Sequence, residues 1–174
     1  MPEYAPANDE YIGIPTELPD GLQEIINRRG TLFYLKLHGS CNWRRGDEQS
    51  RIVFGRAKEE QIQSEPLLQA YFDVFRRVLA TPNAQLLIIG YGFGDEHVNG
   101  EIARAIEEAG LRVHIVSPAP QKDIRATLQK DPAGSAIWQR LAGYHQCTVL
   151  QLFPGHCTMS LHWRTLKGEF FGET

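Results

Sequence analysis

Residues 85–118 read QLLIIGYGFGDEHVNGEIARAIEEAGLRVHIVSP, and no other stretch narrows the fold so far. Leu86 to Ile89 form a run that is apolar on both faces, the pattern of a central strand in a parallel sheet. Glycines at 90, 92 and 94 interrupt it, and Asp95 offers an N-cap to the next segment. Val98, Ile102, Ala105, Ile106 and Ala109 recur at helical spacing, and Gly110 stands where a left-handed helix end belongs. A second apolar run, Val113 to Val116, begins at once. A strand, a helix and a strand so connected predict two parallel strands with a right-handed crossover. The chain is therefore expected to fold as an α/β domain built on a parallel sheet with flanking helices.

The remaining elements are less sharply marked. Residues 1–19 are rich in proline and acidic side chains and read as a flexible arm, leaving 20–174 for the α/β domain. A short helix is expected over 20–29 with Asp20 as its cap, and a strand over 31–37 (TLFYLKL). A charged loop runs from 44, then a brief strand at 52–54. Residues 64–80 predict a helix capped by Ser64, with Pro66 in its first turn. Its apolar stripe is Leu67, Tyr71, Phe75 and Val78, widened by Leu68, Phe72 and Leu79. A last helix is expected near 132–143, and strands near 147–153 and 157–166.

Composition excludes several classes of function. With 174 residues, 42% hydrophobic, and a net charge of −3, nothing in the composition predicts a general affinity for nucleic acid or anionic membrane. No apolar run approaches the roughly 20 residues of a membrane span. The N-terminus does not resemble a signal peptide, so a cytoplasmic protein is expected. The three cysteines, Cys41, Cys147 and Cys157, have no paired spacing. Neither a disulfide framework nor structural zinc is expected.

Two motifs carry chemistry. The glycine loop after the strand lies where a dinucleotide loop would lie, but its pattern is GxGxG. Asp95 and Glu96 complement the helix dipole and would repel a phosphate on the same turn. The loop is thus either a ligand border or a tight strand-to-helix turn. The second motif is KLHGSCNW at 36–43. His38 at the end of an apolar run is either a hydrogen-bonded core residue or a proton-transfer residue at the ligand edge of the sheet. Gly39 beside it would let a substrate approach the backbone. Asp95, Glu96 and His97 are adjacent in sequence, which does not favour a shared metal ion. His156, Cys157 and His162 have no spacing that supports a Cys–His nucleophile.

KLHGSCNW, with LLIIGYGFGDEHVN some fifty residues later, resembles the sirtuin-like NAD-binding domain, in particular its bacterial branch. The resemblance spans roughly residues 31–120. It implies a partial Rossmann-like (doubly wound) parallel sheet. It implies NAD as substrate, with His38 as the base at the nicotinamide ribose, and Gly39, Ser40, Gly90, Tyr91, Gly92 and Ser117 around the cofactor. Residues 1–37 lack the glycine-rich loop that opens the sirtuin nucleotide fold, so the resemblance implies the C-terminal part of such a domain. The four-cysteine zinc module is also missing, which favours hydrolysis of NAD (an NAD nucleosidase, as in antiphage defence) over deacylation. An incomplete sheet exposes an edge, and a protein partner could complete it. The alternative is a catalytically incomplete remnant that binds an NAD- or ADP-ribose-type nucleotide or another protein.

Overall fold

The computed structural model describes residues 35–44, 50–52, 58–155 and 159–172. The chain divides into two compact units, one ending at Val78 and the other beginning at Leu79. The expected arm at 1–19, the helix at 20–29 and residues 31–34 of the expected strand lie outside the described residues.

In the first unit, β1 (Gly39–Arg44) pairs antiparallel with β2 (Ser50–Ile52), with Gly39 opposite Ile52 and Ser40 opposite Arg51. The strand expected over 31–37 is corrected at its described end. Leu37 and His38 form a turn, closed by the Gly39 N–H donating to the Lys36 carbonyl at 3.0 Å. Gly39 has a φ of 74°, a turn conformation that glycine adopts without strain. The His-Gly pair therefore leads into β1, with His38 in the turn and Gly39 opening the strand. Helix α1 (Lys58–Ser64) leads into α2 (Pro66–Leu79). Ser64 does not cap α2: it ends α1, its hydroxyl donating to the Gln61 carbonyl at 2.9 Å. The buried residues described on α2 are Leu68, Phe72, Val74 and Leu79, while Tyr71, Phe75 and Val78 are only half-buried.

The second unit contains β3 (Gln85–Ile89), α3 (Glu96–Ala109), β4 (Arg112–Ser117), α4 (Gln121–Leu128), α5 (Pro132–Gln139), β5 (Leu141–Gln146), α6 (Val149–Leu152) and α7 (Leu161–Phe171). The three strands form a parallel sheet in the order β3-β4-β5, flanked by helices. This is the partial Rossmann-like α/β architecture expected from the sequence. Among the described residues the central strand is β4 and not β3. Val113 to Val116 are all buried, whereas Ile89 at the end of β3 is 40% exposed. Helix α3 ends as expected at Gly110, with a φ of 70° and its N–H donating to the Ile106 carbonyl.

The C-terminal region departs from the expected strands. The third strand is 141–146, and the segments expected as strands at 147–153 and 157–166 contain helices. Thr148 and Gln151 form a reciprocal capping box that starts α6. The Ser160 hydroxyl accepts from the Trp163 N–H and starts α7. These caps satisfy backbone groups that a strand at the sheet edge would leave bare.

Register decides which side chains meet across the sheet. Leu87 pairs with His114, and His114 with Gly143, while Val116 pairs with His145. These residues share one sheet face. Val116 there joins Cys147, Leu152 and Leu166 in a core against which Leu87, Trp163 and Phe170 pack. The Gln85 side chain ties this face to α7 by donating to the Phe170 carbonyl at 2.7 Å.

Candidate functional site

The loop between β3 and α3 is the best-defined part of the site predicted from sequence. Gly90 leaves the strand with a φ of 71°, and Phe93 also takes a positive φ, 58°. A bulky residue in that region is unusual, and such positions persist only where neighbours hold them. Asn99 supplies the restraint. Its side chain is 1% exposed, and its amide donates to the Phe93 carbonyl at 3.0 Å. The Tyr91 hydroxyl lies 3.0 Å from Asn99 Oδ1 and 3.1 Å from the Asp95 carbonyl, sharing its one proton between two acceptors. The Tyr91 and Phe93 rings stack obliquely, 4.8 Å apart. Burial first, and the nearby Asp95 carboxylate second, push the Tyr91 phenol well above its ordinary pKa. It is a neutral donor throughout the physiological range.

Asp95 holds the N-cap position of α3, but its side chain makes no capping hydrogen bond. The expected cap is corrected in that respect: the Asp95 carbonyl accepts from the Val98 and Asn99 N–H groups, and Asn99 inside the helix fastens the loop. Asn99 was not among the residues expected from sequence. The only sequence signal was a polar asparagine on the face of this helix that otherwise carries Val98, Ile102 and Ile106.

Gly90, Tyr91 and Gly92 thus lie together beyond the C-terminal end of β3. Ser117 ends β4, the adjacent parallel strand, directly after Val116, which pairs with Ile89. The register brings the glycine loop and Ser117 to one edge of the sheet, where open α/β sheets bind ligands. The Ser117 hydroxyl accepts from the Ala119 N–H at 3.2 Å, and the Tyr144 hydroxyl donates to the Ala119 carbonyl at 2.7 Å, so this turn is fixed. A Cβ built on Gly92 or Gly94 would meet nothing within 4 Å. The chain's own packing does not demand these glycines. His38, Gly39 and Ser40 belong to the first unit, His38 half-buried in the turn before β1, and Gly39 and Ser40 opening that strand. His156 and Cys157 lie outside the described residues, and His162 is exposed on α7. Cys147 is buried, which raises its thiol pKa and keeps it an inert thiol. No described helix is long and apolar enough to cross a membrane.

A parallel sheet with a fixed, glycine-rich βα turn after one of its strands defines a Rossmann-like domain with its ligand edge at the strand C-termini. The chain matches the model of the SIR2-like domain over residues 4–137, and it belongs to that NAD-related family. No curated protein and no solved structure matches it.

Proposed function

We propose that the chain is part of a sirtuin-like NAD-consuming domain that cleaves the nicotinamide–ribose bond, with water as acceptor. His38 acts as the base at the nicotinamide ribose, taking a proton as nicotinamide leaves. Gly39 and Ser40 line the approach to it. Gly90, Tyr91 and Gly92 border the cofactor, and Ser117 faces the adenosine ribose. The observation that carries this reading is the loop itself. Its backbone is locked by Asn99 and Tyr91 while its glycines meet nothing of the chain, which is what close approach of a ligand to a backbone requires. Three cysteines cannot supply a four-cysteine zinc module, which favours hydrolysis over deacylation. The bacterial character of the motifs suits NAD depletion in antiphage defence in the cytoplasm, with a second polypeptide or upstream segment completing the sheet.

A second reading rests on Glu96 in the first turn of α3, beside Asp95. Carboxylates there oppose a pyrophosphate at the helix N-terminus. On that reading the chain is catalytically incomplete and binds nucleotide or a partner. The experiment is nicotinamide release from NAD by the chain alone, with an added sirtuin-type N-terminal half, and with His38→Ala in each. The first reading expects release that depends on the added half and falls about 10²–10⁴-fold in His38→Ala, the usual worth of a general base. Release undiminished by His38→Ala would sink the mechanism. Absence of release in every arm, with NAD or ADP-ribose still raising the melting temperature, would favour the second reading.

A further inference from the structure

Beneath α7, on the sheet face away from Val113 and Ile115, three ligand-type side chains converge. They are His114 of β4, His145 of β5 and Glu169 of α7, and one ligand atom from each lies within 4.8 Å of the others. His145 Nε2 is 3.5 Å from Glu169 Oε2. His114 and His145 are 1% and 9% exposed, and their rings lie nearly parallel, with centroids 6.0 Å apart. Both ring nitrogens of His114, and Nε2 of His145, are buried without a hydrogen-bond partner. Such groups are rarely left unpartnered in a core.

The convergence is built by a backbone irregularity. Val113 pairs with Leu141, but His114 pairs with Gly143, so β5 carries one extra residue at that point. Without it, His114 would face Ala142, and His145 would fall opposite Ser117 on the other face, since a one-residue shift reverses every side chain. Bulges characteristically re-aim side chains next to sites. The bulge also places a glycine between the ligands. A Cβ on residue 143 would lie 2.5 Å from His114 Nδ1 and 3.3 Å from Glu169 Oε2.

We infer that His114, His145 and Glu169 form a binding site for a divalent transition-metal ion of the zinc class. Two imidazoles and a carboxylate are a known zinc donor set, with a fourth position left for water or a further ligand. Bonds of about 2.0–2.1 Å place tetrahedral donors roughly 3.3 Å apart. The His145–Glu169 pair is already close to that. Glu169 is half-exposed, giving the ion a route in and the carboxylate freedom to close the remaining distance. The site is independent of the cysteines on which the expectation of no structural zinc was based.

The test uses the full chain, stripped with chelator. Zn²⁺ is titrated calorimetrically, and Co²⁺ by its visible absorption. One equivalent should bind, with tetrahedral Co²⁺ bands and a raised melting temperature. Glu169→Gln, a surface change that spares the fold, and His145→Gln should each weaken binding by at least about tenfold, the loss seen even for residues that merely orient a ligand. His162→Gln, on the exposed side of α7, should change nothing. No heat of binding and no stabilisation of the folded wild-type chain would overturn the inference. So would binding that Glu169→Gln and His145→Gln leave intact.

Discussion

Replacing Asn99 by alanine isolates what holds the glycine loop. The side chain is fully enclosed and serves two partners. Its amide is the donor for the carbonyl of Phe93, the residue at a φ of 58°. Removing it leaves that carbonyl buried and unsatisfied, at a cost of about 1–3 kcal/mol. The Tyr91 hydroxyl loses one acceptor but retains the Asp95 carbonyl at 3.1 Å, so the second loss is smaller, about 0.5–1 kcal/mol. Alanine is the better helix former by about 0.5 kcal/mol, which offsets part of this. The net destabilisation is about 1–3.5 kcal/mol. With a urea m-value of about 2 kcal/mol/M, the midpoint should fall by roughly 0.5–1.7 M. Tyr91→Phe alone should cost about 0.5–1.5 kcal/mol. Because the two side chains touch, the double variant should be less destabilised than the sum, by about 0.5 kcal/mol or more. Denaturation monitored by both fluorescence and circular dichroism measures all four proteins. A midpoint for Asn99→Ala within about 0.2 M of wild type, or strict additivity with Tyr91→Phe, would refute the claim that this pair secures the loop.

Local geometry sets three further outcomes. Gly90→Ala meets no steric neighbour but holds an L-residue at a φ of 71°, and should cost about 1–2 kcal/mol in chemical denaturation. Gly134→Ala should cost more, about 3 kcal/mol, because its Cβ would run into the Leu128 carbonyl oxygen, backbone that cannot rotate away; Gly143→Ala meets a ring nitrogen instead and should cost about 1–3 kcal/mol, so the two denaturation midpoints should rank in that order. The Tyr91 phenol is raised in the folded state, so the stability it contributes is complete below the ordinary tyrosine value of about 10 and is lost as pH rises above it. Urea midpoints between pH 8 and pH 11, roughly, should therefore fall more steeply for wild type than for Tyr91→Phe.

The strand–helix–strand unit was legible because each of its signals is local. The apolar run, the glycines, the helical stripe from Val98 to Ala109 and the left-handed Gly110 all lie within 34 consecutive residues, and each appears where expected. The C-terminal region was not, because apolar content alone cannot separate a strand from a short helix. There the decisive signals were Thr148 with Gln151, and Ser160 with the Trp163 N–H, caps readable only by their spacing. The end of the strand expected at Leu37 failed for a related reason. Its residues favour a strand, yet the turn at Lys36–Gly39 is set by a single glycine.

The site divides along the same line. The glycine loop is a contiguous motif, so its members could be named from sequence, but its fastening could not. Asn99 acts four residues beyond the Asp95 expected to cap the helix, and its role depends on a buried carbonyl that only the folded loop presents. His114, His145 and Glu169 are 31 and 24 residues apart in turn, with no spacing rule to connect them. Alternation alone even argues against the pair, since an unbroken register would send the two histidines to opposite faces of the sheet. The extra residue in β5 is what reverses that, and the glycine after it is what leaves room between them. A bulge has no sequence signature as strong as a helix cap. A site that depends on one is therefore visible in the ladder of pairings before it is visible in the residues.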